Sequence, residues 1–339
     1  MSTPPSFLAG ALSRPLFIAG AAALAALSAL AGCSDSGGDG AGGAGGGDTQ
    51  PKWEPLPLRA EAWSHGDPTA LEQALLEEVQ RARLDPAGEI DILLKVPGVQ
   101  TAMKQYGVDE PALRAEFDAY SPVPPLSFDS RLLESARAHS QDMADNGFQD
   151  HDSSDGRTFD ERILAAGYDF AFASENIFAY AESVPYCHAA FMVDWGNPEP
   201  GHRNAILDID GKKRDVGIAI IDAPASPEVG PLVVTQDFAR PASPAEAALR
   251  FLVGVVYTDA DGDGRYDPGE GEAGLFVVPD KGDYHAVTSA SGGFSIPLAA
   301  DSGPLVVQLQ DTATSVLDQR EVTFTGDNVK LDFVLSPAD

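Results

Sequence analysis

The spacing of apolar residues divides the chain into a mainly helical region and a β-rich last region. From residue 71 to residue 207, apolar side chains recur every three or four positions between capping residues and glycines, as in helices that bury one face. From residue 251 onward they form short β-branched runs separated by Gly, Asp and Ser, which is typical of strands. The pattern predicts helices first and an all-β region last.

Polar capping residues mark where the predicted helices begin. Asp67-Pro68 predicts a helix start, because aspartate caps a helix and proline fits its first position. Asp129 predicts another start, with Asn146-Gly147 as the end of that helix. Residues 158–161 form a capping box, and a further helix is expected over residues 183–195.

Two β-branched runs close the first region. Residues 214–221 and 232–238 predict strands, and together with the preceding helices they predict a layered α+β domain over residues 67–240. The segment 96–125 is rich in proline and predicts an irregular connection.

The last region, residues 249–339, predicts a small all-β sandwich. Short apolar runs alternate with turn residues throughout it, which is typical of two packed sheets. The expected strands are 251–257, 274–278, 284–288, 293–297, 305–309, 321–324 and 329–335.

The N-terminus has the pattern of an export signal. Arg14 precedes an uncharged run that ends in Leu30-Ala31-Gly32-Cys33, which resembles the lipobox of bacterial lipoproteins. The resemblance implies removal of residues 1–32 and acylation of Cys33, with palmitate. The alternative is an uncleaved anchor helix, for which the apolar run is short. Residues 33–66, which begin with a Gly, Ser and Asp tract, predict a flexible tether to the outer face of a bacterial membrane, either the outer membrane or the cell surface.

Charge excludes some classes of partner. The 339 residues include 52 acidic and 22 basic side chains, a formal net charge of −30, which argues against nucleic acids and against electrostatic docking on anionic lipid. Such a charge favours solubility and cation binding instead. The two cysteines, Cys33 and Cys187, predict no disulfide framework.

Histidines and one glutamate are concentrated between residues 139 and 203. His151 follows the expected end of a helix, Glu175 begins a Glu-Asn-Ile motif, and His202 lies in a Gly-His-Arg motif. All three are in loop-like contexts. Imidazoles and a carboxylate in such positions can converge on one cleft.

Other candidate groups have structural interpretations. His139 lies on the apolar stripe of its helix, which favours a core role over a site role. Cys187 and His188 are helical neighbours about 100° apart, so they are poorly placed to bind one metal ion, and a packed thiol and a half-buried imidazole are expected. The candidate nucleophiles are Ser140, Ser153 and Ser154. No Gly-x-Ser-x-Gly elbow surrounds any of them, so no catalytic residue is assigned.

In their order, these motifs resemble those of the CAP superfamily, which comprises cysteine-rich secretory proteins, antigen 5 and plant pathogenesis-related proteins, and they are most similar to its bacterial branch. The resemblance extends over residues 71–239. It implies an α-β-α sandwich with a central cleft lined by two histidines and two acidic residues. The fourth, acidic position is open between Asp194 and Glu199. Three residues of this chain match cleft positions of the family: His151, Glu175 and His202.

The three cleft residues fit more than one function. Two histidines and a carboxylate suit zinc with one position open to water, whose pKa zinc would lower enough for hydrolysis. The wide spacing of the three in the sequence gives zinc no support of its own. In the structural alternative they hydrogen-bond one another. The leading interpretation is non-catalytic binding of a small apolar or lipid ligand, or of a surface protein. The alternatives are a zinc-dependent peptidase or esterase, and a structural envelope protein held by Cys33.

A twelve-residue calcium-loop pattern lies between the first two strands of the last region. Oxygen ligands stand at positions 1, 3, 5, 9 and 12, a backbone carbonyl at position 7 and glycine at position 6. Strands flank the loop, which therefore resembles that of the calcium-bound B-type repeats of bacterial surface adhesins. Bound calcium is expected to make the region rigid; the alternative is an acidic hairpin without an ion. The expected ligands are Asp259, Asp261, Asp263, Asp267 and Glu270, with the carbonyl oxygen of Arg265.

Overall fold

The computed structural model describes residues 53–197, 199–224 and 226–336. The predicted signal peptide, Cys33 and the first part of the predicted tether lie outside these residues. Within the described residues, no helix combines the length and the apolar character that a membrane crossing requires.

One four-stranded sheet forms the centre of the first region, in the order β2-β4-β5-β3. The strands β4 and β5 are antiparallel, as are β3 and β5, whereas β2 runs parallel to β4. The strand β3 is therefore an edge strand. The strands are β2 (Ser127–Phe128), β3 (Phe170–Ala181), β4 (Asp215–Asp222) and β5 (Leu232–Pro241).

Helices cover both faces of this sheet. Met143 of α5 packs with Ile177 and Val233 on one face, and α1, α7 and α8 bury Ile218 and Phe238 on the other. This arrangement confirms the predicted layered α+β fold. The helices are α1 (Ala70–Leu84), α2 (Pro86–Leu93), α3 (Val99–Tyr106), α4 (Glu110–Ala119), α5 (Ser130–Asn146), α6 (Phe159–Ala165), α7 (Val184–Val193), α8 (Gly201–Ile206) and α9 (Pro244–Ala248).

Two local predictions in the first region are wrong. The segment 96–125 contains the helices α3 and α4 instead of an irregular connection, because its prolines fall at or near helix ends: Asp109 caps α4 and Pro111 lies in its first turn. The cap of α1 is Thr69, which forms a capping box with Glu72, and not the predicted Asp67.

The last region contains two β-sheets. The larger sheet has the order β1-β8-β7-β10-β11, and in the smaller one β6 pairs with β9, β12 and β13. Their apolar faces enclose a core that includes Leu252, Phe294 and Leu309. The prediction of a β-rich region is confirmed. The strands are β1 (Glu61–Trp63), β6 (Leu249–Thr258), β7 (Phe276–Pro279), β8 (Tyr284–Val287), β9 (Gly293–Ala299), β10 (Gly303–Thr312), β11 (Ser315–Phe324), β12 (Val329–Lys330) and β13 (Phe333–Leu335).

Residues 53–66 lie on the β-rich region, although the predicted tether included them. The strand β1 pairs in parallel with β8, and the Leu56 amide donates to Oε1 of Gln308 at 2.7 Å. The Trp63 ring packs edge-on against Tyr284 at 5.2 Å between centroids. The tether prediction is therefore wrong for this end of the segment, since strand pairing and aromatic packing fix it.

The two regions pack together as one compact unit. Tyr257 and Tyr266 of the β-rich region belong to the same buried core as the helices of the first region. The Asn328 side chain donates to the carbonyl oxygen of Pro125 at 3.0 Å, and Lys330 pairs with Glu77 of α1 at 2.8 Å. The regions are therefore joined by a buried interface.

Candidate functional site

His151 and Glu175 form the first half of the candidate site. Gly147, at a φ of 67°, ends α5 and turns the chain into the loop that carries His151. Nδ1 of His151 and Oε1 of Glu175 lie 2.8 Å apart. The His151 side chain is 48% exposed and that of Glu175 is fully buried. The ring is thus held from the interior by a carboxylate.

Arg162 of α6 occupies the other side of Glu175. Its guanidinium donates to Oε2 of Glu175 and to the carbonyl oxygen of His151, the latter at 2.8 Å. The Arg162 side chain is only 3% exposed. Since Glu175 already has one oxygen on His151 and the other on Arg162, it serves to hold the ring and is not a free ligand.

His202 and Asp194 form the second half of the site. Asp194 ends α7 in the left-handed conformation, at a φ of 58°. Its Oδ1 lies 2.7 Å from Nδ1 of His202, and its Oδ2 accepts from the His202 amide at 2.9 Å. Glu199 is exposed. The acidic partner of His202, left open by the sequence, is therefore Asp194.

The edge strand β3 joins the two halves. Glu175 holds His151 on the α5 side of the sheet, and the next residue, Asn176, points to the opposite side because strand side chains alternate. There Asn176 donates to the carbonyl oxygen of His202 at 3.3 Å and to Oε1 of Gln236 at 3.1 Å. The two His–carboxylate pairs therefore lie on either side of one strand.

The three predicted cleft residues do not form a compact ligand group. Among the described residues, the groups with all ligand atoms within 4.8 Å of one another are Glu78, Glu89 and His188, and the three calcium-loop residues Asp259, Asp261 and Asp263. His151, Glu175 and His202 are not such a group, because they are divided between the two sides of β3. Only Nε2 of each cleft histidine faces away from its carboxylate.

The Glu78–Glu89–His188 group is a buried ion network. Arg81 donates to both oxygens of Glu89, at 2.7 and 2.8 Å, and also pairs with Glu78. A guanidinium therefore already supplies the positive charge that these carboxylates require. His188 is fully buried and lies 3.1 Å from Glu89, so the expectation of a half-buried ring is wrong.

The candidate nucleophiles make contacts that exclude an imidazole partner. Ser140 donates to Thr235 at 2.8 Å, Ser154 donates to Asp142 at 2.5 Å, and Ser153 accepts from Arg162 at 3.2 Å. Activation of a serine requires a base within hydrogen-bond reach. None of the three serines has an imidazole base among these contacts, and the carboxylate that Ser154 meets is that of Asp142.

His139 and Cys187 are core residues. His139 is fully buried, its Nε2 lies 2.9 Å from the carbonyl oxygen of Asp150, and burial lowers the pKa of its ring. Burial also raises the pKa of the Cys187 thiol well above its usual value. Both side chains match their predicted packed roles.

Asp237 is a site neighbour that sequence reasoning missed. It lies opposite Glu175 in the β3–β5 register and is fully buried. Burial, reinforced by the adjacent Glu175 carboxylate, raises the pKa of Asp237 well above its usual range. The signal was the polar triplet Thr235-Gln236-Asp237 within an otherwise apolar strand. A buried carboxyl with a raised pKa thus lies beside the Glu175–Arg162 pair.

A cavity of about 270 Å³ opens beside this pair, between α5 and α6. Most of its lining is polar or charged, including Ser135, Asp142 and Arg162. It lies on the same side of the sheet as Glu175. Its chemistry suits a polar group better than a wholly apolar ligand.

The calcium-loop residues converge in the β-rich region. Oδ2 of Asp259 accepts from the Gly264 amide at 2.9 Å, and Oε1 of Glu270 accepts from the Ala260 amide at 2.8 Å. Gly264 has a φ of 78°, which explains the glycine at position 6. Burial, with the carboxylates of Asp263 and Glu270, raises the pKa of Asp267. The crowded carboxylates concentrate negative charge, which a bound divalent cation would neutralise.

Comparison with known proteins agrees with the fold. Residues 78–238, just under half of the chain, match the model of the cysteine-rich secretory protein family, CAP. This segment is therefore similar to CAP domains and has an α/β fold, and a β-rich region follows it. No curated protein matches the chain.

Two solved structures are similar to part of the chain. One is an extracellular protein containing an SCP domain from Bacillus anthracis str. Ames, with 25% identity and a TM-score of 0.30 over 42% of this chain and 41% of that one. The other is an outer surface protein from Borrelia burgdorferi, with 16% identity and a TM-score of 0.29 over 43% of this chain and 96% of that one. This chain thus spans about two fifths of the length of the Bacillus protein.

Proposed function

We propose that this chain is an exported, lipid-anchored CAP-domain protein that binds a ligand at the β3 edge without reacting with it. The lipobox-like Leu30-Ala31-Gly32-Cys33 supports export and acylation at Cys33. The protein would then lie on the outer face of a bacterial membrane, at the outer membrane or the cell surface.

The paired rings His151 and His202 carry the proposal. In each pair a buried carboxylate engages Nδ1, at 2.8 Å for His151 and 2.7 Å for His202. That contact fixes the ring and leaves Nε2 as the nitrogen that can meet a ligand. Because the nearby serines are bound to other groups, the arrangement supplies recognition without a nucleophile.

The ligand we propose is a small molecule with an apolar or lipid body, or a surface protein, that presents a polar group to this edge. The charged lining beside Arg162 favours such a polar group. The formal net charge of −30 disfavours nucleic acid as the partner.

Zinc binding at the same edge is the second candidate. Histidines whose Nδ1 bonds a carboxylate are typical of metal sites, in which Nε2 coordinates the ion. In this chain Nε2 of His151 or of His202 would meet the metal, with Glu175 and Asp194 orienting the rings, but the two rings lie on opposite sides of β3 and do not form one compact ligand set. Bound zinc would supply Lewis acidity to water. A hydrolytic site normally has three protein ligands, and Glu175 is occupied by Arg162, so a peptidase or esterase is the weaker proposal.

Metal titration and activity assays on the mature chain separate these functions. We expect His202→Ala to abolish zinc binding in calorimetry if zinc is held here, while peptidase and esterase assays remain blank for every variant. Glu199→Gln is the matched control, since Glu199 is exposed and, among the described residues, forms no hydrogen bond or ion pair with His202. Hydrolysis by the zinc-loaded wild type that His202→Ala eliminates would overturn the non-catalytic proposal.

We also propose that the loop between β6 and β7 binds calcium. The complete ligand pattern and the convergence of its first three aspartates within 4.8 Å support this site. The proposed ligands are Asp259, Asp261, Asp263, Asp267 and Glu270, with the carbonyl oxygen of Arg265.

A further inference from the structure

Tyr266 is the one residue of the calcium loop whose side chain is buried. It is 8% exposed, whereas its neighbours Arg265 and Asp267 are exposed. Its ring meets Tyr257 edge-on, at 5.9 Å between centroids and 89° between planes. Both rings belong to the core that also contains Leu75 and Val79 of α1. The loop therefore inserts an aromatic anchor into the interface with the CAP domain.

The neighbours of Tyr266 in the sequence are both proposed calcium ligands. Arg265 would coordinate through its carbonyl oxygen at position 7, and Asp267 would contribute at position 9. An ion held by residues on each side fixes the backbone between them. The position of the Tyr266 ring in the core is thus geometrically linked to the ion.

Further contacts tie the loop to the same interface. The Tyr257 hydroxyl donates to the carbonyl oxygen of Gly264 at 3.4 Å, and the Thr258 amide donates to that of Glu270 at 3.0 Å. The Glu77 carboxylate of α1 adds to burial in raising the pKa of Tyr266. Lys330 pairs with Glu77 at 2.8 Å. The loop, β6 and α1 therefore meet around one aromatic pair.

We propose that calcium occupancy of the loop is coupled to the packing of α1 in the CAP domain through Tyr266. This inference rests on the calcium site proposed above. An ion that orders residues 265–267 holds the ring in the shared core, and loss of the ion lets the crowded carboxylates repel one another and loosens the ring. Because coupling between two sites is reciprocal, packing of the ring also strengthens calcium binding. Tyr266 is then a positioning residue.

Hydrogen exchange of the mature chain, with Cys33→Ser to prevent acylation, tests the coupling. Amide exchange in α1 is compared in calcium chloride and in chelator, with magnesium chloride as the ion control. At a calcium concentration ten times the Kd, we expect α1 exchange to slow roughly tenfold, as linkage requires when opening releases the ion. Tyr266→Ala should remove this response and weaken calcium binding severalfold.

Two control variants make the result specific. The Tyr266 hydroxyl has no hydrogen-bond partner among the described residues, so Tyr266→Phe should behave as wild type. Glu270→Gln removes a ligand and should show neither calcium binding nor an α1 response. If Tyr266→Ala does not fold, Tyr266→Leu, which keeps a smaller apolar side chain, replaces it and should show a reduced response.

Calorimetry with calcium chloride separates the two claims. Absence of calcium binding in the wild type would overturn the calcium site itself. Calcium binding without a change in α1 exchange would leave that site intact and overturn the coupling. An α1 response that persists in Tyr266→Ala would also overturn the role of Tyr266.

Discussion

Arg162 determines whether the first half of the site is stable. It is the only arginine or lysine that contacts Glu175 among the described residues, and both side chains are buried. Removing one partner of a buried pair leaves an uncompensated charge in a region of low polarity. The position of the His151 ring therefore depends on Arg162, which acts on the ring through Glu175.

The Arg162→Ala substitution should destabilise the protein by about 3–5 kcal/mol, because it leaves Glu175 buried without a cation. Chemical denaturation measures this change in the free energy of unfolding. Arg157→Ala is the matched control: its side chain is 53% exposed and pairs with an equally exposed Asp155, so its cost should stay below about 1 kcal/mol. Equal costs for the two variants would contradict the assigned role.

His65 should give the protein a pH dependence in mildly acidic solution. The residue is 6% exposed, and burial lowers the pKa of its ring to about 4, with Asp67 partly opposing the shift. A depressed folded-state pKa means that the unfolded chain takes up the proton first, so stability present above pH 6.5 is lost as the pH falls towards 4.

The full loss from His65 is about 3 kcal/mol, the free energy that corresponds to lowering a pKa from 6.5 to about 4. Denaturation midpoints measured between about pH 7 and about pH 4.5 follow this loss. His65→Gln, which cannot take up a proton, should flatten the slope of stability against pH in that window. An unchanged slope in the variant would assign the acid sensitivity to other groups.

Among the elements, α5 was predicted best and the α3–α4 segment worst. Asp129 at the start and Gly147 at the end of α5 are chemically specific signals, and the structure has both caps. Prolines in residues 96–125 indicated irregular structure, but a proline in the first turn starts a helix as readily as it ends one. Periodicity alone could not decide between these outcomes.

Close packing of α5 on the sheet explains one glycine. A Cβ on Gly217 of β4 would lie 2.1 Å from the carbonyl carbon of Leu132 in α5. Gly217→Ala should therefore cost about 1–3 kcal/mol, since helix and strand must separate. Gly201→Ala is the control, because a Cβ there meets nothing within 4 Å; it should change stability by less than about 1 kcal/mol. Denaturation compares the two, and a Gly217 variant as stable as the Gly201 variant would contradict this packing.

The cleft residues show what a sequence motif can predict. His151, Glu175 and His202 could be named from their motifs, but their grouping could not, because it depends on which side of β3 each side chain occupies. Arg162 lies in a helix pattern that gives no functional signal, and the polar triplet that contains Asp237 does not indicate which side chains it meets. The pairing of charges across a fold is a tertiary property that spacing does not encode.

At the scale of the whole molecule, the two regions that the sequence predicts separately pack together as one compact unit. Besides the buried rings of Tyr257 and Tyr266, single polar residues join them: Asn328 bonds Pro125, and the Ser127 hydroxyl lies 2.8 Å from that of Ser295. Isolated polar residues carry no periodic signal, so the interface could not be predicted. A change in the stability of the β-rich region, such as calcium binding would cause, should therefore also change the stability of the first region.

Calcium should stabilise the whole molecule in one transition. With a Kd on the order of 0.1 mM, typical of extracellular sites, 1 mM calcium adds about 1.4 kcal/mol to the free energy of unfolding. Calorimetric melting with calcium and with chelator measures this gain, and Glu270→Gln should eliminate it. A melt that separates into two transitions, of which calcium moves only one, would contradict a single cooperative unit.

The central claim is that buried carboxylates hold His151 and His202 through Nδ1 and leave Nε2 to a ligand. Long-range nitrogen–proton NMR of the ring-labelled protein reports the tautomer of each histidine directly, and single His→Gln variants assign the signals. Because a carboxylate only accepts hydrogen bonds, both neutral rings should carry their proton on Nδ1, and Glu175→Ala should release His151 alone from this form. Neutral rings that carry the proton on Nε2 would contradict the account.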